Sequence, residues 1–266
     1  MIVSSPDSQD EFEGSEQPFV THLIELRDRL IRAVVAVGVA FALLAFWPGP
    51  SALYDLLAAP LVAHLPQGTT LIATNVISPF LVPLKITLMA AFMLALPYVL
   101  YQIWAFVAPG LYSHEKRLVA PLVVSSTLLF LLGVAFSYFF VFGQVFKAIQ
   151  SVAPKSITAA PDIEAYLGFV LNMFIAFGLA FEVPVAVVVL VRMGVFSVGQ
   201  LKSWRGYFIV VAAIASAIVT PPDLISMIAL LLPMIVLYEL GIIAAGVFVR
   251  HTQAPDEAAE DSGRGH

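Results

Sequence analysis

The stretch FGLAFEVPVAVVVLV, Phe177 to Val191, sets a single carboxylate, Glu182, inside an apolar run. The nearest basic residue that follows is Arg192, so at 1.5 Å per residue the carboxyl lies about 15 Å from that end, close to a bilayer midplane. An acid at such depth costs about 2.5–3.5 kcal/mol on insertion scales and ordinarily faces a protein interior or a watery cavity. Two uses fit it. It either ties helices together through hydrogen bonds, or it lines a groove where it meets a guest helix or relays a proton. Asn172 shares the run on a different face and reads as a group bonding between helices. Pro184 is expected to kink the helix beside Glu182 and leave carbonyls free.

A second pair of acids lies in polar flanks. THLIELRDRL sets Glu25 among Leu23, Ile24 and Leu26, and FVAPGLYSHEKRL carries Glu115. An acid on an apolar shelf suits a guest with an arginine head and a hydrophobic tail. Local pairing is the competing reading: Glu25 with Arg29 one turn on, Glu115 with Lys116 or Arg117. Glu239 lies about 24 Å along a helix from Asp223, near the opposite interface, where it snorkels in a structural role. GxSxG, HExxH, P-loop and GxGxxG signatures are absent, so no enzyme chemistry is expected. The five histidines fall in loops and tails on different sides, so no metal site and no cofactor is expected either.

The elements that must position these acids are membrane helices. Apolar residues make up 60% of the 266-residue chain and charged ones 12%, against about 25% in soluble domains. There is no cysteine, which removes disulfide and thiol chemistry. Apolar runs of about 20 residues predict an all-α integral membrane protein with six spans, at about 30–47, 86–106, 118–142, 166–191, 207–220 and 224–248. The strand alternation of a β-barrel is missing. Three regions follow: an acidic tail over 1–19, a membrane domain over 20–249 and a polar tail over 250–266. The first tail holds five acids and no basic residue, unlike a secretory signal.

With both termini cytoplasmic, the inner segments hold ten Lys and Arg and the outer ones three, which sets that orientation. The outer segments at about 48–85 and 143–165 are long. Pro48, Pro50, Pro60, Pro66, Pro79 and Pro83 stiffen the first, so a structured cap is expected there. The fifth span reaches only about 21 Å before the TPPD turn, against a core of about 30 Å, so it thins the bilayer or packs inside the protein.

HLIELRDRL, PYVLYQIWAFVAPGLYSHEKR, FGLAFEVPV and TPPD, in that order, resemble the TatC family of twin-arginine translocase subunits, from about residue 18 to about 250. The resemblance implies a cupped-hand arrangement in the bacterial inner membrane, with Glu182 on the concave face. It implies no catalysis. It implies instead a cytoplasmic site for signal peptides bearing two arginines, built on Glu25 and Glu115 with Leu26, Arg27, Phe106 and Arg117. Pro60 in the first outer loop and Asp223 in TPPD match function-sensitive family positions. Met227 stands where members often carry glutamine, so that partner contact is expected to be apolar here. HEKR replaces the more usual HERR. Implied partners are TatB-like and TatA-like single-span subunits, further copies of the chain in a multimeric receptor, and the bilayer; transport of folded passengers draws on the proton-motive force. A proton-coupled solute carrier centred on Glu182 would show internal repeats, and none is visible. A pure scaffold would need no acid pair at the cytoplasmic face.

Overall fold

The computed structural model describes residues 10–62, 72–107, 119–145, 162–220 and 224–253. Nine α-helical segments run in order among these residues: α1 Asp10–Phe46, α2 Pro50–Val62, α3 Ser78–Val107, α4 Val119–Phe136, α5 Ile163–Phe181, α6 Val183–Arg192, α7 Val198–Ser203, α8 Arg205–Val219 and α9 Leu224–Gln253. A wide π-helical turn, Ser137–Val141, extends α4, so that helix continues to Val145. No strand occurs among the described residues beyond one isolated parallel bridge between Ile72 and Asp162. The all-α membrane class expected from composition is the observed one.

Among the described residues five helices are long and apolar enough to cross a membrane: Val20–Phe46, Ser78–Val107, Val119–Val145, Ile163–Arg192 and Leu224–Val247, with Arg205–Ile218 a shorter apolar helix. The ends differ from expectation in an instructive way. α1 starts twenty residues before the predicted span, because polar sequence propagates a helix as readily as apolar sequence once a turn has formed. α3 likewise begins at Ser78, so Pro79 and Pro83, expected in a loop, lie in its opening turns. Pro79 in the first turn removes a donor that had no partner anyway, whereas Pro83 stands inside the helix and forgoes one ladder bond. The segment at about 48–85, expected to be the first outer one, contains the helix α2 with Pro60 inside it.

α3 is the hub: it packs against α1, α2, α4 and α5. The main core lies around α5, where Met173, Phe177 and Val170 are sealed against Val82 and Ile86 of α3. Small residues let the backbones approach, as van der Waals packing between membrane helices requires. Gly178 of α5 lies against the Phe130 ring of α4, so a Cβ there would clash with the ring edge. Phe130 is 2% exposed and has nowhere to swing. Gly178→Val is therefore expected to cost about 1–3 kcal/mol, read as a lower midpoint in thermal melts of the detergent-purified protein. An unchanged melt would mean that α4 and α5 can spread at no cost.

On the face opposite the Glu25 end, Asp162 clasps two segments. Its Oδ1 accepts the N–H groups of Glu164 and Ala165 and caps α5, while Oδ2 accepts Thr74 Oγ1 at 2.6 Å and Thr74 N at 3.0 Å. Ile163 N donates to Ile72 O at 2.9 Å alongside. The Thr74 hydroxyl bond above all, with these backbone donors, holds the carboxyl down at about 2. A depressed folded value means that its stabilisation is full above the ordinary carboxylate range and is lost as pH falls toward 2. The wild type should therefore melt at higher temperature than Asp162→Ala at pH 6, with the gap closing as pH is lowered. A gap that does not change with pH would show that the clasp does not depend on the charge.

Candidate functional site

The α5–α6 break decides the environment of Glu182. α5 ends at Phe181, Glu182 forms a turn, and Pro184 opens α6 within its first two positions. Proline has no N–H to continue the ladder and its ring displaces the carbonyl four residues back, which ends α5 there. The chain recovers at once, with Ala186 N donating to Glu182 O at 3.0 Å. The expected kink is thus a true interruption centred on the acid. Both carboxyl oxygens are enclosed and have no hydrogen-bond partner among the described residues. Ser126 of α4 faces the carboxyl across the interface without reaching hydrogen-bond geometry. The Ser126 hydroxyl instead accepts Trp104 Nε1 at 2.9 Å. A buried polar group left unmatched in a packed interior is unusual enough to point to function. Asn172, expected to bond between helices, is exposed on α5.

Glu25 occupies a second site, at the far end of α3. Its Oε1 accepts Arg29 Nη2 at 2.6 Å and Arg29 Nε at 2.9 Å. Arg29 also reaches across to α3 with a long 3.5 Å bond from Nη1 to Gln102 Oε1, a residue buried at 4% exposure. One turn on, the ring of Phe106 stacks on His22 at 4.3 Å between centroids. The helix therefore presents a part-buried carboxylate beside an aromatic stack, with Leu23, Ile24 and Leu26 exposed around the helix at the same level. Arg27 points outward and pairs with Asp28 at 2.8 Å. Of the two readings of Glu25, local pairing with Arg29 is what the resting structure contains. A guanidinium of the chain itself already occupies this carboxylate.

The last turn of α3 touches both sites. Gln102 and Phe106 meet α1, while Trp104, between them in sequence, meets Ser126 beside Glu182. The sequence reading did not single out Gln102, Trp104, Ser126 or His22. The available signal was the polar pair Gln102 and Trp104 inside an otherwise apolar helix end. Glu239, read as snorkelling, pairs with Arg205 at the start of α8 through two 2.6 Å contacts. The hairpin end is further held by Tyr238, whose hydroxyl donates to Leu201 O at 2.9 Å and whose ring stacks on Phe208 at 3.9 Å. That cluster is structural. Met227 is half-buried on α9, Pro60 lies on α2, and Glu115, Arg117 and Asp223 fall outside the described residues. No group of three or more potential metal ligands occurs among the described residues.

The chain is similar to known proteins over most of its length. A family model described as Sec-independent protein translocase protein (TatC) matches residues 21–233. The Sec-independent protein translocase protein TatC of Halothiobacillus neapolitanus is 49% identical over 92% of this chain and 67% of its own length. That of Escherichia coli K12 is 47% identical over 88% of this chain and 90% of its own. A solved structure described as the twin arginine translocase receptor TatC superposes with a TM-score of 0.73, at 38% identity over 85% of this chain and 98% of that one. The chain is thus a multi-pass membrane protein that works in protein translocation rather than catalysis, and it belongs to the TatC family.

Proposed function

We propose that this protein is the signal-recognition subunit of a twin-arginine translocase, reading paired arginines where α1 passes the end of α3. The observation that carries the reading is the Glu25–Arg29–Gln102 cluster beside the His22–Phe106 stack. One guanidinium of the signal displaces Arg29 from Glu25, and Glu115 takes the other, with Leu26, Arg27, Phe106 and Arg117 completing the surface. Arginine forms a planar two-point pair with a carboxylate whereas lysine offers a point charge, so the site prefers Arg-Arg to Lys-Lys. Each charge-assisted bond contributes about 1.5–3 kcal/mol, and the apolar part of the signal supplies the rest along the protein's surface.

Glu182 then serves partner engagement: its enclosed, unmatched carboxyl accepts a polar side chain from a TatA-like or TatB-like helix, or from a deeply inserted signal, that opens the packing around it. Asp223 and Met227 belong to the same partner face, and Pro60 supports the outer cap. In this reading α8 is the short fifth of six spans. Both termini are cytoplasmic in the inner membrane, and several copies assemble for export of folded proteins on the proton-motive force.

Photocrosslinking tests the proposal. A photoreactive residue at Ile103, exposed one turn before Phe106, is expected to capture an Arg-Arg signal peptide in native membranes and to lose it when Glu25 and Glu115 both become glutamine. Capture that is indifferent to Arg-Arg or Lys-Lys would leave this chain a scaffold, with recognition in another subunit.

A further inference from the structure

A groove of about 500 Å³ runs between α1 and α3, with Arg32 and Tyr98 among its lining residues. Val35, Val39 and Leu43 of α1 and Leu94 of α3 form its walls. Its floor is made of alanines, Ala36, Ala40 and Ala95, whose small side chains give the groove depth. Two observations identify an occupant. Arg27, Arg29, Lys85 and Arg205 each hold an acid. Arg32 is exposed with no ion pair among the described residues, at the end of an otherwise apolar slot. The slot is also one leaflet long. From Arg32 to Leu43 along α1 is about 16 Å, against about 15 Å for half of a bilayer core. A guest helix would need about twice that length.

We propose that this groove seats an anionic phospholipid, its phosphate on Arg32 and the Tyr98 hydroxyl and one acyl chain along Val35, Val39 and Leu43. A guanidinium binds phosphate through parallel hydrogen bonds in addition to charge, and the interface is where tyrosine places an amphipathic ring. The lipid fills the cleft between the two helices that also carry Glu25 and Gln102, and so sets their separation.

The chain has no cysteine, which allows a single reporter. Gly38 is exposed beside the groove and a side chain there meets open space. Gly38→Cys, labelled with a maleimide fluorophore in detergent micelles, is titrated with dibrominated phosphatidylglycerol or dibrominated phosphatidylcholine. Quenching is expected at a several-fold lower mole fraction of phosphatidylglycerol than of phosphatidylcholine. The preference should vanish in Arg32→Gln and survive in Arg32→Lys, which keeps the charge and controls for folding. Equal quenching by the two lipids, or an unchanged preference in Arg32→Gln, overturns the proposal. Reversal of quenching by unlabelled protein instead of unlabelled lipid would place a second copy in the groove and overturn it as well.

Discussion

Replacing Glu182 with leucine is expected to raise the melting temperature of the purified protein by a few degrees and to abolish transport. The two effects share one cause. Both carboxyl oxygens are enclosed without a partner among the described residues, and leaving a buried polar group unmatched costs about 1–3 kcal/mol. Leucine fills similar space beside Phe181 and Val185, which are themselves buried, and removes that cost. Proteins commonly carry such local instability where activity needs it. Glu182→Gln separates the possible uses. If the side chain only accepts and donates hydrogen bonds to a partner, glutamine keeps most transport; if it must change protonation, glutamine fails like leucine. Signal-peptide crosslinking at the Glu25 end should stay near wild type in both variants. A leucine variant that melts lower would show that the carboxyl holds the α5–α6 break together. A variant that loses initial signal binding would merge the two sites into one.

At the other site, Glu25→Gln and Arg29→Gln are expected to act in opposite directions. Glu25→Gln removes the carboxylate and should weaken binding of an Arg-Arg peptide by about 10- to 100-fold, from 1.5–3 kcal/mol for a charged hydrogen bond. Arg29→Gln removes the resident guanidinium that now holds Glu25 Oε1 by two bonds, so the peptide no longer has to displace it. Its affinity should rise several-fold, and the preference for Arg-Arg over Lys-Lys should persist. Equilibrium binding of a fluorescent peptide to protein in nanodiscs reads both. Parallel losses in the two variants would mean that Arg29 holds Glu25 in its productive rotamer instead of competing for it.

Glu182 stood out in the sequence because charge is so scarce in this chain that a carboxylate in an apolar run demands an account, whereas Glu25 lies in a polar flank and was noticed for the apolar residues beside it. The same scarcity made the helices legible, since runs of about 20 apolar residues leave few alternatives in a bilayer. Boundaries were not. Hydropathy marks where lipid begins, whereas a helix ends where its hydrogen bonds do, which is why α1 extends back to Asp10 and α3 to Ser78. The break at Glu182 could be foreseen because proline acts on its own neighbours.

Partners were a different matter. Sequence offered Arg29 for Glu25, one turn away, and that pair formed. It could not offer Arg205 for Glu239, or Gln102 for Arg29, because those groups are brought together by helices crossing at distant points in the chain. Nor could it reveal that Glu182 would be left without a partner. Amino-acid types fix which groups carry charge and which segments enter the membrane, since both follow from transfer from water, residue by residue. Which face of each helix meets which neighbour depends on close packing around points such as Gly133 and Gly178. That packing alone decided that the end of α3 would touch both acids' surroundings, Glu25 through Gln102 and Arg29, and Glu182 through Trp104 and Ser126.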